Sequence, residues 1–191
     1  MTEHHLTIPL KDEDIEKLKI NDKVYLTGNI VTARDKAHLY LLKEDPNLGL
    51  KGGTIYHCGP VVKKQDGKYE IIAAGPTTSI RMDLYESDII EKYGVKAVIG
   101  KGGMGKRTLD ALQKYKAVYL SALGGAAVLL AQSIVKVKDV LKLEDFGVPE
   151  ALWVLEVKDF PAIVTMDAHG GSLHENILKK SEKELKKIIG G

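Results

Sequence analysis

The sequence predicts an α/β protein built on a mixed sheet. Three observations carry that expectation. Between residues 96 and 134, two apolar strand-like runs each give way to a helical stretch. Gly100-Lys101-Gly102-Gly103 follows the first run and Gly124-Gly125 the second. Consecutive β–α units with glycine-rich turns form a mainly parallel layer. Residues 22–74 are instead rich in Val, Ile, Thr and Tyr, which favour strands, and contain the hairpin signal Asp66-Gly67. Residues 135–143 and 151–157 alternate apolar with polar side chains, as half-buried strands do. A chain of 191 residues with no repeat, linker or low-complexity tract is expected to form one domain, residues 1–191, with a real core.

In chain order, residues 6–10 alternate weakly and read as an edge strand. Residues 12–18 predict a short helix capped by Asp12, with Ile15 and Leu18 on one face. Residues 22–33 read as a strand in which Gly28-Asn29 marks a turn or a bulge. A helix is expected over 35–44, with Ala37, Leu41 and Leu42 inward, stopped by Pro46-Asn47 and Gly49. Strands follow at 54–58 and 61–64 about Gly59-Pro60, then at 69–74. From there the rhythm changes to a helix at 82–93 capped by Thr78 or Ser79, a strand at 96–99, and a helix at 104–115. A strand at 118–122 and a helix at 126–134 complete the β–α units. Residues 161–166 read as a buried strand ended by His169-Gly170-Gly171, and 175–189 as a lysine-rich amphipathic helix with a solvated charged face.

The chain is 44% apolar and 28% charged, which is ordinary globular composition. Net charge is only +2, so no basic field supports nucleic-acid binding. Cys58 is the single cysteine, which excludes an internal disulfide and a multi-cysteine metal site; a reducing, cytoplasmic compartment is expected. No basic region followed by an apolar run opens the sequence, so no signal peptide is expected. Residues 117–135 carry no charge and approach the roughly 18 residues of a membrane span. Gly124-Gly125 splits them and Tyr119, Ser121, Gln132 and Ser133 interrupt their polarity, so a buried strand, a turn and a helix explain them better, with no membrane partner.

The stretch Gly75-Pro76-Thr77-Thr78-Ser79-Ile80-Arg81-Met82 and the later Gly100-Lys101-Gly102-Gly103 both sit where a strand opens into a helix. Helix N-termini favour anions through free N–H groups and the helix dipole. Thr77 and Arg81 are four apart, and Lys101 lies at the next strand end, where adjacent parallel strands share a crevice. The plainer alternative is turn chemistry at Thr77 and a first-turn surface arginine. Gly100 to Lys106 also resembles the lysine-glycine-glycine form of the P-loop. A P-loop needs Ser or Thr after its second lysine to hold Mg²⁺; this chain has Arg107, with Thr108 one residue late. Arg34-Asp35-Lys36-Ala37-His38 marks another strand-to-helix change, with Asp35 as a cap, His38 a satisfied histidine, and Arg34 a possible bidentate carboxylate fork. His57 and Cys58 are neighbours on a strand and therefore point to opposite faces, one buried and one facing a cleft. His4, His5, His169 and His174 form no metal-ligand spacing.

Taken together, Arg34-Asp35-x-Ala37-His38, Gly59-Pro60-Val61-Val62, Gly75-Pro76-Thr77-Thr78-x-x-Arg81-Met82-Asp83, Lys101-Gly102, Leu123-Gly124-Gly125-Ala126-Ala127 and Glu150-Ala151-Leu152-Trp153 occur in one order. Glu156-Val157-x-Asp159-Phe160-Pro161-Ala162 ends the series. This resembles the β subunit, or C-terminal domain, of class I iron–sulfur fumarate hydratase, and is similar to the β subunit of L-tartrate dehydratase. The resemblance implies a three-layer swivelling β/β/α domain and a reversible hydro-lyase reaction, fumarate plus water giving malate. It implies a [4Fe–4S] cluster carried by a partner α subunit, none on this chain, and an α₂β₂ assembly or β homodimer. It makes Arg34, Arg81 and Lys101 dicarboxylate binders. It makes Thr77 the base, or else a positioning hydroxyl, with Lys101 beside it in catalysis.

Overall fold

A computed structural model of the chain describes residues 1–189. The strands are β1 (Glu3–Thr7), β2 (Lys23–Thr32), β3 (Thr54–Tyr56), β4 (Val61–Gln65), β5 (Lys68–Ala73), β6 (Ala97–Gly100), β7 (Val118–Ser121), β8 (Ile134–Leu141) and β9 (Leu152–Met166). The helices are α1 (Asp12–Glu16), α2 (Asp35–Lys43), α3 (Asp83–Tyr93), α4 (Lys106–Tyr115), α5 (Ala127–Ala131), α6 (Leu143–Phe146) and α7 (Leu173–Ile189); a 3₁₀ turn, Ser79–Met82, leads into α3.

The main sheet runs β1-β2-β3-β6-β7-β9-β8, and β2 also pairs with β9. That second pairing closes β2, β3, β6, β7 and β9 into a five-stranded barrel, with β1 and β8 as outer strands. Strands β2, β3, β6 and β7 are mutually parallel, while β9 runs antiparallel to β7 and β2. The α/β class, the mixed sheet and the parallel β–α units agree with expectation; the barrel closure was not foreseen. Strands β4 and β5 form a separate hairpin through Asp66 and Gly67, both at positive φ, as the turn signal required.

Period-two alternation explains the two cores. Leu26, Ile30, Tyr56, Ile99, Leu120 and Phe160 point to one side of the sheet and form the barrel interior. Val31, Ile55, Val98 and Tyr119 point to the other, where Ala37, Leu41, Ile89 and Leu112 of the helices cover them. Strand β6 is therefore buried on both faces, as parallel strands between two layers are. Inside, the Tyr56 and Phe160 rings meet edge-on at 5.3 Å, a geometry worth about 0.5–1.5 kcal/mol beyond the area buried.

Several elements differ from expectation. The two strands expected at 151–157 and 161–166 are one strand, β9, of 15 residues. A register shift opposite Leu26 and Gly28 absorbs the interruption: Gly28 has φ +131°, Asp159 has φ +51°, and the Asp159 N–H donates to Thr27 Oγ1 at 3.1 Å. Gly28 thus lies across from a bulge in β9 and forms no turn. Helix α1 starts behind Lys11 and not Asp12, and the Asp14 carboxylate accepts from the Lys11 N–H at 3.0 Å. Helix α5 ends at Ala131, and Ile134 already belongs to β8. The first strand lies at Glu3–Thr7, ahead of the expected 6–10. Among the described residues, no helix is long and apolar enough to cross a membrane.

Candidate functional site

Strands β3 and β6 pair as far as Tyr56 and Ile99, and the His57 N–H still donates to the Ile99 carbonyl at 2.8 Å. Beyond that point a third segment enters between them. The Thr77 N–H donates to the His57 carbonyl at 2.6 Å, the Lys101 N–H to the Thr77 carbonyl at 3.3 Å, and the Ser79 N–H to the Lys101 carbonyl at 3.0 Å. Contrary to expectation, the Gly75–Met82 stretch does not prolong a strand of the parallel layer; it follows β5 of the hairpin and is wedged across the ends of β3 and β6. Neither Thr78 nor Ser79 caps the following helix with its side chain. Ser79 is fully buried and turned inward.

The four residues singled out from sequence fall into two linked pairs. Thr77 and Lys101 are joined by the main-chain bond just described. Arg81 Nη2 lies 3.1 Å from Asp35 Oδ2, both about half exposed, and Asp35 follows Arg34 directly. Arg34 Nε lies 3.3 Å from Glu150 Oε1, and the other Glu150 oxygen accepts from the Lys36 N–H at 3.0 Å. Glu150, and not Asp35, thus serves the N-terminus of α2, and it stands in ion-pair contact with Arg34 at the same time. Gly59 is needed beside it: a side chain there would come within 2.7 Å of Arg34 Nη1 and 2.8 Å of the Pro149 carbonyl. Lys101 also borders a cleft of about 450 Å³ with Tyr25, Ser121, Leu123, Leu129 and Ile163; Thr77, Arg34 and Arg81 do not line it.

The P-loop likeness dissolves in three dimensions. The Gly105 N–H at the start of α4 donates to Asp83 Oδ1 at 2.8 Å, and Thr108 Oγ1 donates to the same oxygen at 2.7 Å. Thr108 is fully buried, so it offers no ligand to Mg²⁺. Arg107 is engaged with Asp88 at 2.6 Å and the Leu84 carbonyl at 3.0 Å. A carboxylate of the chain itself already occupies the anion position at this helix N-terminus.

Behind the Thr77 segment lies a buried polar chain. His38 Nε2 and His57 Nε2 stand 2.9 and 2.8 Å from the same oxygen, Glu86 Oε2. His38 Nδ1 is 2.8 Å from the Arg34 carbonyl, His57 Nδ1 is 2.8 Å from Ser79 Oγ, and the Tyr119 hydroxyl donates to Ser79 Oγ at 2.8 Å. Donor and acceptor chemistry assigns the protons. A carbonyl and a carboxylate only accept, so both His38 nitrogens donate and His38 is an imidazolium. Ser79 Oγ accepts the hydrogen bond from the Tyr119 hydroxyl and points its own hydrogen at His57 Nδ1, which leaves His57 neutral with its proton on Nε2. Burial favours neutral groups throughout, yet the histidines outweigh it at Glu86 and hold its carboxyl down to about 2. Against the same burial, the Glu86 charge raises His38; at His57 burial prevails and the pKa is lowered. His38 was anticipated as a satisfied histidine; Glu86, Ser79 and Tyr119 were not. One signal was available: Glu86 is four residues from both Met82 and Ile90, which places an acid on the apolar face of α3.

His57 and Cys58 do point to opposite sides, but both are buried, so the expected cleft-facing member does not exist. The Cys58 thiol is pushed up to about 12, chiefly by burial. An iron–sulfur cluster needs several thiolates, and one buried, protonated cysteine does not fit that role; this chain's residues do not suit the cluster. Among the described residues, one group of three metal-capable side chains lies close together, His38, His57 and Glu86, and these atoms are hydrogen-bonded to one another.

A closed mixed barrel thus presents cations and a hydroxyl at its strand ends. The chain belongs to the family described as Fumarase C-terminus, which it matches over residues 2–177. It is 52% identical over 181 residues to "Putative fumarate hydratase class I" of Geobacillus stearothermophilus, covering 94% of this chain and 35% of that protein. It thus spans about a third of that relative's length. It is 45% identical over 187 residues to "Putative L(+)-tartrate dehydratase subunit beta" of Methanocaldococcus jannaschii, covering 95% and 96% of the two chains. It is also 45% identical over 171 residues to "L(+)-tartrate dehydratase subunit beta" of Escherichia coli K12, covering 88% and 85%.

Proposed function

We propose that this chain is the β subunit of a class I fumarase-type hydro-lyase that adds water reversibly to fumarate, giving malate. Residues 1–191 act as one swivelling β/β/α unit in a reducing, cytoplasmic setting. The [4Fe–4S] cluster is carried by an α subunit, and the chain is inactive alone. The observation that carries the reading is the wedge: Thr77 is pinned between His57 and Lys101 at two strand ends, with Arg81 one turn further on and linked through Asp35 to the start of α2. In this reading Arg34, Arg81 and Lys101 bind the two carboxylates through charge-assisted hydrogen bonds. Thr77 takes the proton from carbon in the dehydration direction. Its hydroxyl is a weak base, and nearby cations favour the alkoxide. The same cations offset the extra negative charge that develops on the substrate in the transition state.

L-tartrate dehydration is the second reading. It is supported by the near end-to-end match to two tartrate dehydratase β relatives, whereas the fumarase match covers a third of its relative. The two substrates differ by hydroxyl groups, and discrimination depends on which pocket groups are left unpaired.

The test is reconstitution with the anaerobically purified α subunit, followed by turnover of fumarate, malate and L-tartrate. Lys101→Ala and Arg81→Ala should each lower kcat/KM by about 100-fold or more, a loss typical of removing a charge stabiliser, with an unshifted melting temperature. Unchanged turnover in both variants sinks the assigned site. The substrate with the higher kcat/KM decides between fumarate and tartrate.

A further inference from the structure

The reaction proposed above gives no task to five buried polar side chains: His38, Glu86, His57, Ser79 and Tyr119. All are fully buried. They form one unbroken hydrogen-bonded chain across α2, the end of β3, α3, the 3₁₀ turn and β7. Burying an ion pair together with three further polar groups is no cheaper than packing apolar residues of the same volume. Glu86 Oε1 is even left without a hydrogen-bond partner among the described residues. The surrounding core is amply apolar, with Leu41, Ile55, Met82, Ile89 and Ile90 at hand. Stability alone does not account for the chain.

Its connections do. Each of the four residues assigned to the substrate lies within two residues or one hydrogen bond of it. The Arg34 carbonyl accepts from His38 Nδ1 at 2.8 Å. The His57 carbonyl holds the Thr77 N–H, and the Ser79 N–H holds the Lys101 carbonyl. Arg81 follows Ser79 by two residues in the same 3₁₀ turn. Fixed, planar and charge-assisted groups transmit position better than aliphatic contacts, because their bonds have direction as well as distance.

We propose that His38, Glu86, His57 and Ser79 are positioning residues, a buried strut that holds Arg34 at a fixed distance from the Thr77–Arg81 turn and Lys101 so that the cations bracket one dicarboxylate. This rests on the function proposed above. The rival use of the same atoms is a metal centre. Both imidazole nitrogens sit at hydrogen-bond distance from the one carboxylate oxygen, and the metal content of the purified chain separates the two uses.

Two arms test the strut. In the first, hydrogen exchange is measured on the full chain and its Ser79→Ala and Tyr119→Phe variants. The Thr77 and Lys101 amides should exchange about tenfold faster in Ser79→Ala, with a smaller effect in Tyr119→Phe, while Val98 and Leu120 keep their protection as internal controls for folding. In the second, the same variants are reconstituted with the α subunit. Ser79→Ala should lower kcat by about 10–100-fold, the scale of a small misplacement of reacting groups. KM should change by less than about fivefold, because the binding cations are still present. Unchanged exchange at Thr77 and Lys101 overturns the proposal. So does unchanged kcat in a complex that is active with the wild-type chain, and so does stoichiometric zinc in the purified chain that Glu86→Gln removes. If the wild-type complex turns over neither fumarate nor tartrate, the function reading fails, and the exchange arm alone still decides whether the strut holds the turn.

Discussion

Gly100→Ala tests the packing around the strut with a single methyl group. Gly100 ends β6, and its backbone is ordinary strand geometry that alanine adopts freely. The cost therefore comes from contact alone. A Cβ at this position would overlap Ser79 Oγ, and would stand 2.9 Å from the Tyr119 hydroxyl and 3.2 Å from His57 Nδ1. Ser79 can escape only by leaving both of its hydrogen bonds, each 2.8 Å long. The His57 nitrogen and the tyrosine O–H donor are then buried without partners. At about 1–3 kcal/mol for each unpaired buried group, the loss is about 2–6 kcal/mol, a large part of the roughly 5–15 kcal/mol that holds a domain together. Urea denaturation followed by the fluorescence of buried Trp153 measures it. Gly124→Ala is the matched control, since a Cβ there meets only Lys101 Cδ at 4.0 Å; it should stay within about 0.5 kcal/mol of the parent. A Gly100→Ala protein as stable as the Gly124→Ala protein refutes the reasoning.

Further outcomes are expected at other positions. Asp83→Ala removes the acceptor shared by the Gly105 N–H and the Thr108 hydroxyl; a loss of about 2–4 kcal/mol in urea denaturation is expected, and Thr108→Val should add little to it. Glu86 has a folded pKa depressed to about 2. Its contribution to stability is complete above the ordinary glutamate value of about 4.3 and drains away as pH falls toward about 2. Glu86→Gln should flatten that acid limb of the stability curve, and an identical limb in both proteins contradicts the assignment. With its thiol pushed up to about 12, Cys58 should resist thiol reagents in the native chain at about pH 8 and react only on unfolding; rapid native labelling counts against its burial.

Local signals carried much of the fold. The β–α units containing β6 and β7 followed from glycine at strand ends, and the β4–β5 turn from Asp66-Gly67; Gly28 marked the irregular point of β2, opposite the bulge in β9. Each is a property of neighbours in sequence. Barrel closure is not: it depends on Leu26 meeting Phe160, a register that no local pattern encodes. For the same reason one strand, β9, read as two, because the bulge at Asp159 interrupts its alternation. At the site, position at strand ends drew out Thr77, Arg81, Lys101 and Arg34, family resemblance gave them roles, and the structure joins them in two pairs. The supporting groups stayed hidden. Glu150 reaches Arg34 from more than a hundred residues away, and Glu86 passed as one more polar residue in a helix.

Strand β9 also sets the order in which this protein is able to assemble. It supplies the antiparallel partner of β2 and the second partner of β7, so every route around the barrel passes through it. On the ribosome, β2 emerges more than a hundred residues before the segment that covers its free edge. Until residues near 166 appear, Val24, Leu26 and Ile30 belong to an open sheet with an unpaired strand, the form most exposed to wrong pairing. Such late, distant contacts slow folding. The barrel behaves as a clasp whose pin is made last, and the crevice between β3 and β6 gains a rigid frame only when that pin is in place.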